Sequence, residues 1–202
     1  MTTNKKQANR KSPSIRKKTN FIKEIRLSGS GGQGLITAGI ILAKAAVIDN
    51  YDVMQTQSYG PESRGGASRA DVLISNTEFF YPEAIHFDIL LALTQESCDK
   101  YASKLKDDGI LIADTTHVKN ITIMGPKIYE VPFTDIAIKE LGTSLPTNIV
   151  ALGFVIRQTR VVTQKALQQA IKESVKPAYV DLNLKAMKLG MKLAENYKDE
   201  RS

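Results

Sequence analysis

The sequence predicts an α/β domain in which helices cover both faces of a mostly parallel sheet and the C-terminal third is helical. Three observations support this prediction. Short apolar segments of strand length alternate with segments of helical character from residue 21 onward. Residues 88–94 form a continuous apolar run, which is typical of a central parallel strand. In the last third, apolar residues recur at steps of three and four, as on one face of a helix.

Each predicted element occupies a defined stretch of the chain. The predicted strands are 24–27, 53–58, 68–74, 88–94 and 109–113, with one or two shorter strands within 121–131. The predicted helices are 34–48, 97–106, 147–157, 163–175 and 181–197. Alternation of strands and helices at this spacing predicts βαβ units with right-handed crossovers.

Local signals refine three of these helices. Thr163 and Asp181 are predicted N-caps, and Pro177 separates the last two helices. The helix over 34–48 is apolar nearly all round, with Lys44 as its only charge. Such a helix is buried on most sides, so we expect both the sheet and a neighbouring subunit to cover it.

Composition limits the classes of function. A chain of 202 residues with 42% hydrophobic side chains can bury one core without a metal or a disulfide, which predicts one domain. The single cysteine, Cys98, excludes an intrachain disulfide and a four-cysteine zinc or iron–sulfur site supplied by this chain. His86 and His117 are predicted to be structural, so no metal site is expected. The chain has no apolar run long enough to cross a membrane and no signal sequence, which predicts a cytoplasmic location.

The net charge of +7 comes entirely from the first 20 residues. This segment has seven basic residues, no acid and almost no apolar side chain, so it cannot bury enough surface to offset its ordering entropy. We therefore predict a disordered basic tail over residues 1–20 and one domain over residues 21–202. A solubilising tail, or one that touches RNA weakly, fits better than a transit peptide, because the amphipathic apolar face of a transit peptide is missing.

A glycine-rich sequence, Gly29-Ser30-Gly31-Gly32-Gln33-Gly34, lies between the first predicted strand and the first predicted helix. A βα turn of this kind lets the backbone approach a ligand and directs free N–H groups toward an anion. The stretch is therefore a candidate anion cradle. A glycine turn can also serve only to pack a helix tightly against a sheet, and these residues alone leave both interpretations open.

The surrounding sequence argues against NAD and against a phosphate-binding loop of the Walker type. A dinucleotide-binding unit places an acid at the end of its second strand, where it holds the ribose hydroxyls. That strand ends here in Gln-Thr-Gln-Ser, and Asp49 and Asp52 precede the strand instead of ending it. The sequence G-x-x-x-x-G-K-[ST] is absent as well. We predict a single Rossmann-like domain whose glycine turn holds something other than NAD.

A second special loop, residues 58–66, follows the second predicted strand and reads SYGPESRGG. Arg64 offers a planar donor fork suited to phosphate or carboxylate, and Gly65-Gly66 allows backbone conformations closed to other residues. The loop should lie at the same carboxyl edge of the sheet as Gly31 and Gln33. A simple turn closed by an ion pair between Glu62 and Arg64 is the alternative.

In this arrangement the residues resemble the gamma subunit of 2-oxoacid:ferredoxin oxidoreductases. The resemblance rests on LSGSGGQG at 27–34 and TQSYGPESRGG at 56–66, followed in order by matching segments at 88–96, 109–112 and 147–153. It covers roughly residues 23–195, and the second motif is closest to the 2-oxoglutarate branch. The basic extension before Phe21 is a departure from the family pattern.

The resemblance implies that this chain is part of an enzyme but has no catalytic centre of its own. In such enzymes a 2-oxoacid, here 2-oxoglutarate, is decarboxylated on thiamine diphosphate, the acyl group passes to coenzyme A to give succinyl-CoA, and electrons leave through iron–sulfur clusters to ferredoxin. Thiamine diphosphate, Mg²⁺ and the clusters are expected in partner subunits, namely thiamine-binding alpha and beta chains and a ferredoxin-like delta chain. Neither a membrane nor nucleic acid is an expected partner.

The resemblance also implies which residues contact the ligand or the partners. They belong to the two glycine-rich loops and would bind coenzyme A or form the subunit interface: Gly29, Gly31, Gly32, Gln33, Gly34, Ser58, Tyr59 and Arg64. No catalytic residue and no metal ligand is assigned. The alternatives are a free-standing nucleotide- or phosphate-binding Rossmann-like protein, a gamma subunit specific for pyruvate or branched-chain 2-oxoacids, and a nucleic-acid-binding protein that uses its basic tail.

Overall fold

The computed structural model describes residues 20–58, 67–77 and 85–197. They form a six-stranded sheet with the order β2-β3-β1-β4-β5-β6. The strands are β1 (Ile22–Ser30), β2 (Asp52–Gln57), β3 (Ala67–Ser75), β4 (Phe87–Ala92), β5 (Leu105–Asp114) and β6 (Lys127–Val131). The pairs β1–β4, β4–β5 and β5–β6 are parallel, whereas β3 runs antiparallel to both β1 and β2. The predicted mostly parallel α/β fold is confirmed.

The helices lie on the two faces of the sheet, as predicted. They are α1 (Leu35–Ile48), α2 (Gln95–Tyr101), α3 (Phe133–Leu141), α4 (Thr147–Thr159), α5 (Gln164–Ser174) and α6 (Val180–Asn196). Ile25 and Leu27 of β1 belong to a large apolar core shared with α1, α4, α5 and α6. Leu90 and Ala92 of β4 point to a smaller core on the other face, which is closed by α2.

The alternation of side chains along β1 places Arg26 in the smaller core. Its side chain is 2% exposed and forms two hydrogen bonds of 2.6 Å with the carboxylate of Asp71 on β3. The guanidinium carbon lies 4.0 Å from the ring centroid of Phe87 and 4.6 Å from that of Tyr101. A buried ion pair between two aromatic rings therefore joins β1 to β3 under α2.

Helices α4 and α6 pack with their backbones in contact. A Cβ atom on Gly190 would collide with the carbonyl oxygen of Val150, and one on Gly153 would collide with that of Met187. Only glycine allows such an approach, because any larger residue would push the two helices apart. Helix α4 is buried from Thr147 to Ile156, so it forms the centre of the helical layer.

Several predicted boundaries differ from the structure. The helix expected over 97–106 begins at Gln95 and gives way to a 3₁₀ turn at Ala102–Lys104. Leu105 and Lys106 start β5 instead, because Leu105 is buried and pairs with Phe87 of β4. The first strand is longer than predicted, and Gly34 caps α1 without belonging to it.

The prediction of one or two short strands within 121–131 is confirmed by a single strand, β6, which begins at Lys127. The Oε1 atom of Gln95 accepts hydrogen bonds from the backbone N–H groups of Lys119 (2.8 Å) and Asn120 (3.0 Å). These two bonds fix the segment just before residue 121 to the first residue of α2. Helix α3 was not predicted, because it is short and starts directly after Pro132.

The N-caps of the last two helices have opposite outcomes. Thr163 caps α5 as predicted, with its Oγ1 atom accepting from the N–H of Ala166 at 3.1 Å. Asp181 is not an N-cap, because the 3₁₀ turn Pro177–Tyr179 runs directly into α6 and makes Tyr179 the cap. Asp181 instead lies in the first turn, where the partial positive charge of the helix dipole stabilises a carboxylate. Apart from Asn20, the predicted tail lies outside the described residues.

Asp88 joins three charged neighbours at the amino end of the sheet. Its carboxylate accepts from the N–H of Glu24 at 2.8 Å and binds the ammonium groups of Lys23 (3.1 Å) and Lys106 (3.0 Å). Burial by itself raises the pKa of Asp88, but the Glu24 N–H and the two lysines outweigh it, so the pKa lies below the usual 3.8. The carboxylate is therefore bound most tightly in its ionised form.

We expect this site to make the domain less stable in acid. Because the pKa of Asp88 is lower in the folded state, its stabilisation is complete above the unfolded-state pKa and is lost as the pH falls through the folded-state value. Asp88→Asn should lower the free energy of unfolding at pH 7 by about 1–2 kcal/mol, since half-exposed lysines are partly screened. Urea unfolding between pH 7 and 3 should show that this difference shrinks in acid. Exposed Asp52→Asn is the control, and a difference independent of pH would contradict the assignment.

Candidate functional site

The glycine turn, residues Gly29–Gly34, leaves the carboxyl end of β1 and leads into α1. The end of β1 is fixed to β4, since the N–H of Leu93 donates to the carbonyl of Ser28 at 2.9 Å. The hydroxyl of Ser28 donates to the carbonyl of Leu91 at 2.8 Å. Gly31 and Gly32 then project from the sheet edge and are exposed. The turn thus presents backbone to solvent from a rigid base.

Gln33 closes the turn on itself. Its Oε1 atom accepts from the backbone N–H of Ser30 at 2.8 Å, so the side chain folds back over the preceding residues. Gly29 lies directly beneath this amide, and a Cβ atom there would collide with Oε1. Gln33 is predicted to contact the ligand, but in the structure the Oε1 atom of its side-chain amide is bonded within the turn.

Gly34 ends the turn in the left-handed region, with a φ of +71°, and is the N-cap of α1. Its carbonyl oxygen accepts two hydrogen bonds, one from the N–H of Ala38 at 3.0 Å and one from Nδ2 of Asn148 at 2.8 Å. Asn148 lies in the first turn of α4, so the amino ends of α1 and α4 meet at the glycine turn.

These two helix starts differ from those of the other described α-helices. Among the described residues no side chain caps α1 or α4, and neither helix has an acid in its first turn. In contrast, Thr94 caps α2 and Thr163 caps α5. Helices α3 and α6 also lack a side-chain cap, but each has an acid in its first turn.

At the start of α4, however, the N–H of Thr147 donates to the carbonyl of Ser144. The N–H of Ile149 donates to the carbonyl of Pro146 and to Oδ1 of Asn148. The uncapped start of α1 directs partial positive charge outward, which suits a phosphate or a carboxylate. The start of α1 therefore keeps the glycine turn a candidate anion site.

The second predicted loop begins and ends at the same edge. The N–H of Ser58 donates to the carbonyl of Arg69 at 3.2 Å, and Arg69 pairs with Ser28 of β1. At the other end of the loop, Ala67 pairs with Ser30 and donates to the carboxylate of Glu96 at 3.1 Å. Tyr59 and Arg64 lie outside the described residues, so their predicted place beside the turn stays a prediction.

The cysteine of this chain is chemically quiet. Cys98 is 2% exposed in the smaller core, and burial, with a smaller effect of Asp99, raises the pKa of its thiol to about 11. A thiol of this kind remains protonated at neutral pH, whereas cluster ligation requires thiolates. The described residues contain no group of three or more His, Cys, Asp or Glu side chains placed to hold a metal ion. In this part of the chain, no helix is both long and apolar enough to cross a membrane.

Sequence reasoning did not identify Asn148 as part of the site. Its segment contributed to the family resemblance, but no role followed from it. The available signal was an asparagine two residues after Pro146 at the start of an apolar helix, a position from which an amide can reach backbone groups of a neighbouring turn. Glu96 was also missed, because its link to Ala67 crosses from α2 to β3.

Comparison with known proteins decides the family. The family model described as pyruvate ferredoxin/flavodoxin oxidoreductase matches residues 24–193. The chain belongs to this family. Among the curated members, 2-oxoglutarate synthase subunit KorC of Methanocaldococcus jannaschii is 42% identical over 176 residues, which are 86% of this chain and 94% of that protein. The resemblance inferred from the two glycine motifs is confirmed.

Solved structures of the oxidoreductase family share the fold. The gamma subunit of a keto/oxoacid ferredoxin oxidoreductase from Geobacter sulfurreducens is 41% identical, with a TM-score of 0.78 over 87% of this chain and 99% of that one. The 2-oxoglutarate:ferredoxin oxidoreductase of Magnetococcus marinus, described with 2-oxoglutarate, coenzyme A and succinyl-CoA bound, also gives a TM-score of 0.78. That match is 22% identical and covers 88% of this chain but 32% of the other, so it shows the fold alone.

Proposed function

We propose that this chain is the gamma subunit of a 2-oxoglutarate:ferredoxin oxidoreductase. The complex would convert 2-oxoglutarate and coenzyme A to succinyl-CoA and CO₂ and pass the electrons to ferredoxin. The observation that supports this most is the similarity to a 2-oxoglutarate synthase subunit along nearly the whole of both chains. A cytoplasmic location is part of the same proposal.

The gamma subunit would not hold the redox cofactors. Its one cysteine cannot supply the four thiolates of an iron–sulfur cluster, and that cysteine is buried and protonated. Thiamine diphosphate with its Mg²⁺ would belong to alpha and beta subunits, and the clusters to a ferredoxin-like delta subunit. Thiamine diphosphate supplies the carbanion chemistry of decarboxylation when bound. The proposal assigns no catalytic residue to this chain.

The glycine turn would bind the phosphates of coenzyme A or dock onto the partner subunits. Exposed backbone at Gly31 and Gly32, together with the uncapped start of α1, fits a negatively charged group. Ser58, Tyr59 and Arg64 would approach the same ligand from the second loop, because Ser58 lies level with Ser28 at this edge. The role of this chain is then to bind coenzyme A and position it in a reactive geometry.

Purification of the chain with its native partners tests the proposal. We expect thiamine-binding subunits and a ferredoxin-like chain to copurify, and the complex to reduce ferredoxin with 2-oxoglutarate and coenzyme A. Turnover with pyruvate or branched-chain 2-oxoacids instead would identify another branch of the family. Calorimetry of the isolated chain with NAD, ATP and coenzyme A covers the remaining alternative. Tight binding of NAD to the single chain would show a free-standing nucleotide-binding protein.

Arg64→Ala is expected to weaken coenzyme A use or assembly of the complex while thiamine diphosphate and clusters remain bound. An arginine fork to a phosphate contributes about 1.5–3 kcal/mol, so the KM for coenzyme A should rise roughly tenfold or more. Steady-state kinetics and gel filtration measure the two effects. Arg157→Ala, at the far end of α4, is the matched control, since its exposed side chain pairs with Glu195. Unchanged kinetics and unchanged assembly for Arg64→Ala would exclude this role.

A further inference from the structure

The buried amide of Asn148 uses both of its functional groups. The residue is 6% exposed, with Nδ2 donating to the carbonyl of Gly34 at 2.8 Å and Oδ1 accepting from the N–H of Ile149 at 2.9 Å. Leaving a buried polar group without its partner is costly, so this orientation of the amide is strongly preferred. The bond to Gly34 joins segments 114 residues apart in the sequence.

The orientation of the Gly34 carbonyl determines where the N–H of Leu35, the first residue of α1, points. The peptide between Gly34 and Leu35 is planar, so its C=O and N–H groups point in opposite directions. The C=O is directed into α1, where it accepts from the N–H of Ala38. The N–H of Leu35 is therefore directed out of the helix start. A second bond from Asn148 fixes this peptide plane from outside the helix.

Gly34 needs such support because of its own backbone. Glycine adopts a φ of +71° as readily as many other backbone conformations, so Gly34 by itself does not hold the turn in one shape. Helix α4 supplies the rigid base, since it is buried along most of its length and pressed against α6. Asn148 extends that base to the turn.

We infer that Asn148 is a positioning residue that holds the glycine turn in its ligand-binding shape. The link to coenzyme A rests on the proposed function, whereas the effect on the turn itself does not. Asn148→Asp is the sharpest variant, because the carboxylate has nearly the same shape and still accepts from Ile149 but cannot donate to Gly34. Asn183→Asp is the matched control, since Nδ2 of Asn183 donates to the carbonyl of Tyr179 at 2.8 Å in α6, away from the turn.

Hydrogen exchange on the assembled complex without coenzyme A tests the inference. Peptides that cover residues 29–37 should exchange at least fivefold faster in Asn148→Asp, while peptides of α6 keep their rate. In the same preparations the KM for coenzyme A should rise about fivefold to tenfold with kcat within twofold of the parent. Asn148→Ala, which adds no charge, should reproduce both changes and serves if the aspartate variant does not assemble.

The outcomes separate the two proposals. Exchange at the turn that stays at the parent rate, or rises equally throughout the chain, would overturn the role of Asn148. Faster exchange at the turn with an unchanged KM would support that role and overturn the placement of coenzyme A at the turn. Faster exchange with a raised KM supports both.

Discussion

Gly34→Ala is expected to raise the KM for coenzyme A by tenfold or more in a complex that still assembles. Alanine at a φ of +71° costs about 1–2 kcal/mol, because its Cβ atom approaches the following carbonyl. The same Cβ atom would lie 2.6 Å from Nδ2 of Asn148, where a normal contact needs more than 3 Å. Both conflicts are relieved by a change in the shape of the turn or by a shift of the Asn148 amide that supports it. Either change would displace the N–H groups that, on the proposed function, face the ligand.

Gly142→Ala separates strain from site geometry. Gly142 has a φ of +74° at the C-cap of α3, and a Cβ atom there meets nothing within 4 Å. Its alanine variant pays the same backbone cost far from the turn, so its melting temperature should fall while the KM for coenzyme A stays at the parent value. Steady-state kinetics and thermal unfolding on both variants measure this contrast. If both variants changed the KM equally, the turn would have no special part in binding.

Asp71→Asn is expected to destabilise the domain by about 3–5 kcal/mol, because it leaves the Arg26 guanidinium buried without an opposite charge. Arg26 cannot escape to solvent, since its side chain is 2% exposed between the rings of Phe87 and Tyr101. Its Nη1 atom has no hydrogen-bond partner among the described residues, so the ion pair with Asp71 compensates most of the buried charge. Urea unfolding of the purified chain measures the loss.

Removing both partners provides the internal comparison. The double variant Arg26→Met/Asp71→Leu replaces two buried charges with apolar side chains of similar size, and such replacements are often neutral or stabilising. It should recover most of the stability that Asp71→Asn loses. Asp52→Asn, at the exposed start of β2, should change the free energy of unfolding by less than about 0.5 kcal/mol. An effect of Asp71→Asn as small as that would contradict the role given to the buried pair.

The sequence predicted those features that local patterns determine. Alternating apolar residues at Ile25 and Leu27 indicated a strand, and the glycines after it indicated a turn at the start of a helix. Thr163 was recognisable as an N-cap because its capping bond spans only three residues. Features that depend on distant residues could not be predicted in this way. The antiparallel insertion of β3 between β1 and β2 and the amide of Asn148 on Gly34 are of this second kind.

The strand predicted within 121–131 is confirmed by β6, but the first residues of that range show that a strand-like pattern can also occur outside a strand. Ile121 and Ile123 alternate with polar residues as strand residues do, and both are partly buried against the smaller core. The backbone just before them is occupied by the side chain of Gln95, more than 20 residues earlier in the sequence. The two isoleucines therefore pack against the smaller core from an irregular segment that precedes β6.

The close crossing of α4 and α6 has a consequence for how this subunit would tolerate change over evolution. Helix α4 contacts α6 at Gly153 and the glycine turn at Asn148. A shift of the α6 backbone would therefore move α4 and, through Asn148, the turn. Residues of α6 would then drift in sequence only in combinations that keep this spacing. If a substitution in α6 impaired the complex, a laboratory selection for restored growth should recover second substitutions in α4 that restore the spacing of the two helices. These substitutions would lie well away from any ligand.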